Sequence, residues 1–364
     1  MREKLYYYWL SCVPCLGPKK IASLLEHIGT PEEIYSASEE SLRQVPKLCA
    51  GDVEQIVNSR NQDKIQRDYE RMTNQGIRYV HIGEEYYPKR LQHIDAPPFG
   101  LFFRGTLPSP KQKLVAVVGA RNASNAGLSV ANSFCRELAE NGIAVISGLA
   151  RGIDIAAHKG VLSVAGGRTY GVLGCGVDIC YPKGHIESYM LMQDHGGVIS
   201  EFSPGMPPYP GNFPQRNRII SGLADGVLVI EAGNKSGSLI TARLGLDQGK
   251  DLFVVPGALF DPCYEGSNRL IQTGAALVTS TRDILDGLGI FLDEDVSTRK
   301  KKCEVVLEST EKIVYSYLSL EPIHLSEIAR ISGISAGKVM ETLLSMELKG
   351  VVKSVGNHYY SIVL

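Results

Sequence analysis

Five cations of this sequence, Arg121, Lys183, Arg216, Arg218 and Lys235, sit on the segments that follow short apolar runs. The turns that carry them are Gly119-Ala120-Arg121-Asn122, Tyr181-Pro182-Lys183-Gly184-His185, Phe213-Pro214-Gln215-Arg216-Asn217-Arg218 and Gly233-Asn234-Lys235-Ser236-Gly237-Ser238. Glycines before a helix let backbone N–H groups approach an anion, and the helix N-terminus adds partial positive charge. The acids on the same turns are Asp178, Glu201 and Glu231, with Asp154 one helical turn further in. The balance along this edge is positive, which predicts an anion site. Tyr181, Tyr209 and Phe213 are interleaved with the cations. Bases stacked on such rings gain about 1–3 kcal/mol each. Cations spread over successive turns suit a ligand with repeated phosphates better than a single phosphate.

Several other chemistries fail on spacing. The turn from Gly119 to Ser124 has Arg121 and Ser124 at the third and sixth positions, so it is not the G-x-G-x-x-G of a dinucleotide site. Lys235-Ser236 resembles the end of a P-loop, but Asn234 and Val229 stand where that loop needs glycines. No carboxylate cluster suited to Mg²⁺, no G-x-S-x-G and no H-E-x-x-H falls on these turns. Binding without catalysis, with no cofactor and no metal, is the expectation. Structural roles are weighed beside the functional ones. Arg121 can pair with Glu201, Tyr181 and Phe213 can be packing aromatics, and Asp154 can pair locally with His158. Ser236 and Ser238 can be helix caps or phosphate donors.

The elements that must position these residues follow from periodicity. Apolar runs at Leu114–Val118, Ala144–Ser147, Thr169–Leu173, Gly197–Ser200, Val227–Glu231, Leu252–Pro256 and Ala276–Thr279 alternate with helical segments such as Ala126–Asn141, Ile153–Val164 and Ser238–Gln248. That alternation predicts α/β architecture with a mostly parallel sheet, whose ligands bind at the carboxyl ends of the strands. Residues 1–65 read as a small helical domain and 66–290 as the α/β domain that carries the anion site. The charged run Asp293–Lys302 marks a linker, taken as 291–305. Residues 306–364 read as three helices and a wing around Gly356-Asn357.

The formal net charge is −1 for 364 residues, so a polyanion site must come from local clustering. No signal peptide and no membrane-length apolar run is read, and only Cys12 and Cys15 of eight cysteines have metal-like spacing. Reduced thiols, a cytoplasmic location and no membrane partner are expected.

The ordered motifs Val118–Arg121, Ser147–His158 (SGLARGIDIAAH), Tyr181–His185 (YPKGH) and Phe213–Leu223 (FPQRNRIISGL) resemble the DNA processing protein A family, also called DprA or Smf. Lys235–Ala242 (KSGSLITA), Asp251–Gly257 (DLFVVPG) and Gly266–Ala275 (GSNRLIQTGA) extend the resemblance over nearly the whole chain. It implies an extended Rossmann fold flanked by a sterile-alpha-motif-like or helix-hairpin-helix domain and a winged helix. It also implies a homodimeric recombination mediator in natural transformation that binds and protects incoming single-stranded DNA and loads a RecA-type recombinase. The implied DNA contacts are Gly119 and Arg121 in the first turn, Lys183, the Phe213/Arg216/Asn217/Arg218 loop, and Lys235 with Ser236. Two departures stand out. Cys15 replaces a glycine expected in the N-terminal hairpin, and the last domain opposes five cations (Lys312, Arg330, Lys338, Lys349, Lys353) with six acids (Glu308, Glu311, Glu321, Glu327, Glu341, Glu347). The second makes the winged helix a poor duplex reader, better suited to protein contact or regulation. The competing functions are a nucleoside-monophosphate phosphoribohydrolase, which needs a glutamate after the Ser236-Gly237-Ser238 turn that this chain lacks, and a winged-helix transcription regulator.

Overall fold

A computed structural model describes residues 3–290 and 308–362, in two compact units, 1–289 and 290–364. The expected linker over 291–305 lies outside the described residues. The first unit opens with six helices: α1 (Glu3–Cys12), α2 (Pro18–His27), α3 (Pro31–Ser36), α4 (Glu39–Arg43), α5 (Ala50–Asn58) and α6 (Gln62–Asn74). A boundary at 65/66 falls inside α6. The helices pack on the sheet as well as on one another: Leu5, Tyr8 and Trp9 of α1 share one buried cluster with Tyr79, Phe99 and Phe102. Burying each such side chain contributes on the order of 2 kcal/mol, so one apolar layer joins the two regions.

The sheet that follows has nine strands: β1 (Arg78–His81), β2 (Gly100–Gly105), β3 (Leu114–Val118), β4 (Ala144–Ser147), β5 (Thr169–Val172), β6 (Gly196–Ser200), β7 (Gly226–Val229), β8 (Asp251–Val254) and β9 (Ala276–Leu277). Their spatial order is β1-β2-β6-β5-β4-β3-β7-β8-β9. The seven strands from β3 to β9 are parallel to one another and occupy the seven predicted apolar runs. β1 and β2 add an antiparallel edge. Between the strands run α7 (Asn125–Glu140), α8 (Ile153–Leu162), α9 (Ile186–Asp194), α10 (Asn212–Leu223), α11 (Ser238–Asp247) and α12 (Glu265–Gln272), with α13 (Thr281–Gly287) closing the unit.

The chain winds from β3 through β4 and β5 to β6, then crosses back by α10 to place β7 on the other side of β3. That reversal is a topological switch point, where the turns after β3 and β7 diverge and leave a crevice. Its presence follows from connectivity alone.

The second unit carries α14 (Ser309–Ser316), α15 (Leu325–Ser332) and α16 (Ala336–Leu348), with β10 (Ile323–His324), β11 (Val352–Gly356) and β12 (Tyr359–Ile362) in the order β10-β12-β11. Asn357 and His358 both have positive φ (47° and 62°), which makes the tight hairpin turn of the wing. Of the five cations among the unit's described residues, three are held by acids of the same unit: Lys349 by Glu311, Lys338 by Glu341 and Arg330 by Glu327.

Candidate nucleic-acid interface

A crevice of about 790 Å³ opens at the switch point. Gly119, Arg121 and Asn122 after β3 form one wall, and Asn234, Lys235 and Ser236 after β7 form the other. Phe213, Arg216 and Asn217 of α10 close the end toward β5, beside Tyr181. Lys183 and Arg218 do not line it.

The segment read from sequence as a loop, Phe213–Arg218, is instead the first half of α10. Pro214 is tolerated there because the first turn of a helix has no intrahelical partner for its N–H groups. The helix decides which side chains meet. Phe213, Arg216, Asn217 and Ile220 recur at helical spacing and all line the crevice. Arg218, two residues past Arg216, points nearly to the opposite side. Its guanidinium forms a two-pronged pair with Glu201 at 2.7 and 2.5 Å, and its Nε donates to the Ala96 carbonyl at 2.9 Å. Both side chains are about nine-tenths buried. The expectation that five cations share one rim is therefore corrected: Glu201 takes Arg218, not Arg121, and Arg218 faces away.

Arg216 lines the crevice floor but is 4% exposed. Its Nη1 donates to the Gly148 carbonyl at 2.8 Å and to the Val172 carbonyl, which ties the end of β5 to the turn after β4. Gly148 is required for this: a Cβ there would lie 2.5 Å from the guanidinium. Burial pulls the guanidinium down to about 10, against the attraction of Asp154. Its Nε has no hydrogen-bond partner among the described residues. Asp154 accepts from the Gly148 and Ala150 amides at 3.1 and 3.3 Å, and burial raises its carboxyl despite Arg216. His158, expected as its local partner, turns instead to the Thr169 hydroxyl at 2.7 Å. Burial holds that imidazole near 3, with His185 and Arg216 adding to the depression. This layer is a buried polar floor.

Above the floor the cations are exposed. The Arg121 guanidinium lies 5.6 Å from the Phe213 ring centroid, within cation–π reach, and the Tyr181 ring centroid also lies 5.6 Å from it, tilted by 36°. Gly174 admits the Phe213 ring, since a Cβ there would come within 2.8 Å of it. Arg121, Lys183 and Lys235 are exposed, and none has an ion pair among the described residues. Lys183 opens a single 3-10 turn directly after Tyr181-Pro182. Ser236 and Ser238 share a 2.7 Å hydrogen bond at the start of α11, whose cap residue Gly237 offers no side chain. Gly119 is a glycine for packing reasons as well: a Cβ would meet Ile153 at 2.4 Å.

The acids counted against the cations are all engaged by this chain. Glu201 holds Arg218, and Asp178 accepts from the Gly205 amide at 2.9 Å. Glu231 accepts from the amide and hydroxyl of Ser124, at 3.0 and 2.6 Å. Sequence reasoning counted Glu231 as a rim charge and missed that it is fully buried; its place two residues past β7 was the available signal.

Fold and site together define a Rossmann-type α/β protein with a basic, aromatic-flanked crevice at its switch point and a winged helix in the same chain. Residues 78–289 match the model of the DNA recombination-mediator protein A family, and 302–357 match the DprA winged helix domain. Protein Smf of Escherichia coli K12 is 38% identical over 76% of this chain and 75% of its own length. The DNA processing protein DprA of Streptococcus pneumoniae R6 is 38% identical over 70% of this chain and 93% of its own. A crystal structure of the Streptococcus pneumoniae protein aligns with a TM-score of 0.61 at 35% identity, over 79% of this chain and 97% of that one. The Helicobacter pylori DNA processing protein A, whose structure is titled for its single-stranded DNA binding mode, aligns at 0.52 and 29% identity, over 58% and 95%. The chain belongs to the DprA/Smf family.

Proposed function

We propose that the chain is a recombination mediator that holds single-stranded DNA in the switch-point crevice. The observation that carries this is the pairing of exposed cations without carboxylate partners among the described residues, Arg121 and Lys235, with the Phe213 ring, which lies 5.6 Å from both the Arg121 guanidinium and the Tyr181 ring. Phosphates bind the cations and a base stacks on the ring, which needs no particular sequence. The single-stranded DNA binding named for the Helicobacter pylori relative supports the same ligand. Lys183 and Ser236 extend the track on either side. Asn217 offers its amide to the strand, Arg216 supports the floor beneath, and Arg218 acts from behind by fixing α10.

Binding without cleavage is part of the proposal, because Asp154, Asp178, Glu201 and Glu231 are each committed to donors of the protein itself. Homodimerisation, protection of incoming strands and loading of a RecA-type recombinase in the cytoplasm complete it, on the strength of the family. The winged helix takes a protein-contact or regulatory role, since most of its cations are paired internally.

Competition between labelled single-stranded and unlabelled duplex DNA tests this, with recombinase filament formation as a second readout. Single strands should compete at least tenfold better than duplex. A form lacking 291–364 should retain single-strand binding. Equal competition by duplex, or loss of binding on truncation, would count against it.

A further inference from the structure

In a Rossmann crevice the turn after the first parallel strand and the helix that follows it hold the ligand's phosphate. Here that place is filled. The Glu231 carboxylate, 0% exposed, accepts the Ser124 amide at 3.0 and 3.2 Å and the Ser124 hydroxyl at 2.6 Å. Ser124 is the cap of α7, a helix of 16 residues, and its hydroxyl in turn accepts from the Gly127 amide at 3.0 Å. The carboxylate lies so close to the helix that a Cβ on Gly127 would be 2.2 Å from Oε2. The Glu231 carbonyl also accepts the Ala120 amide at 2.7 Å, which fixes the turn after β3. No cation pairs with Glu231 among the described residues. It is held by the amide and hydroxyl of Ser124 at the start of α7, with the Tyr264 hydroxyl also bonded to it, at the positive end of the helix where a phosphate would be stabilised.

We propose that Glu231 sets the class of ligand: it is an internal substitute for a bound phosphate that closes the inner anion site and leaves only the outer cations. The inference rests on the crevice being the phosphate-binding site proposed above. A free mononucleotide carries its phosphate on one short arm and needs the inner site to be held. A strand offers consecutive phosphates and engages Arg121 and Lys235 together along the outer rim. Glu231 is thus a specificity-determining residue that rejects small nucleotides without touching the strand.

The test uses the full chain, inorganic phosphate and thymidine 5′-monophosphate as probes. Glu231→Ala empties the inner site while Ser124 and α7 keep their donors. Phosphate should then raise the melting temperature of the variant by about 3 °C or more, with no comparable rise in the wild type or in chloride of equal ionic strength. The monophosphate should bind the variant at least tenfold tighter than the wild type. If the variant does not accumulate folded, it is refolded in phosphate and in chloride. Recovery in phosphate alone supports the proposal; equal recovery in both, or none in either, overturns it. Glu231→Gln keeps the occupying group but not the charge and should still reject phosphate. Uptake by that variant would assign exclusion to charge alone and overturn occupancy. Wild-type binding of oligothymidylate is measured in parallel. Its loss would refute the crevice's ligand while leaving phosphate uptake by E231A to decide the role of Glu231.

Discussion

The sharpest consequence of the helical course of residues 212–223 concerns salt. Each phosphate neutralised on a single strand contributes roughly −0.7 to the slope of log K against log salt. With Arg121, Lys183 and Lys235 as the unpaired cations, the slope per protomer should be about −2.1, a fall of about twentyfold between 50 and 200 mM salt. Counting Arg216 and Arg218 as well would give about −3.5 and a fall of about a hundredfold. Arg121→Ala should bring the slope to about −1.4. Arg218→Met should leave it unchanged and act through stability instead. It strands a buried Glu201 carboxylate, which costs about 3 kcal/mol or more, so the melting temperature falls while salt dependence does not. The assay is fluorescence anisotropy with a short oligothymidylate at several salt concentrations, beside a thermal melt. A wild-type slope near −3.5, or a drop in slope for Arg218→Met equal to that for Arg121→Ala, would refute the assignment.

Two further outcomes follow from the same geometry. Phe213→Ala should weaken single-strand binding by about 1–3 kcal/mol with little change in salt slope, because it removes a stacking face and no charge; a change in slope by a full contact would contradict this. His158 is held neutral near 3 when folded and titrates near 6.5 when unfolded, so its contribution to stability is present above about 6.5 and fades as pH falls toward 3. Each pH unit in that window should raise the unfolded fraction up to about tenfold, and His158→Asn should flatten the dependence in denaturant melts.

Much of the scaffold was legible because buried parallel strands are short apolar runs, and all seven runs named from sequence became strands. β2 was not seen, since Gly100–Gly105 lies in a stretch dominated by turns and prolines. The site was legible as a set of turns but not as a set of directions. Pro214 and the prolines before it masked α10, and without the helix there was no reason for Arg216 and Arg218 to diverge. Nor does spacing reveal which cation Glu201 chooses, 17 residues before Arg218 and 80 after Arg121. Asp154 and His158 show the same limit. Four residues apart, they suggest a local pair, yet the backbone amides of Gly148 and Ala150 and the hydroxyl of Thr169 are better placed for each.

The aromatic layer shared by α1, β1 and β2 carries a consequence for how the chain can be cut. A fragment beginning at Arg78, where the family match begins, would strip the cover from Tyr79, Phe99 and Phe102 and turn an interior surface into a sticky exterior. The leading helices are thus a lid on the sheet's antiparallel margin, and the two parts should melt in one transition. Changes made near Trp9 would be felt at the strands beneath it.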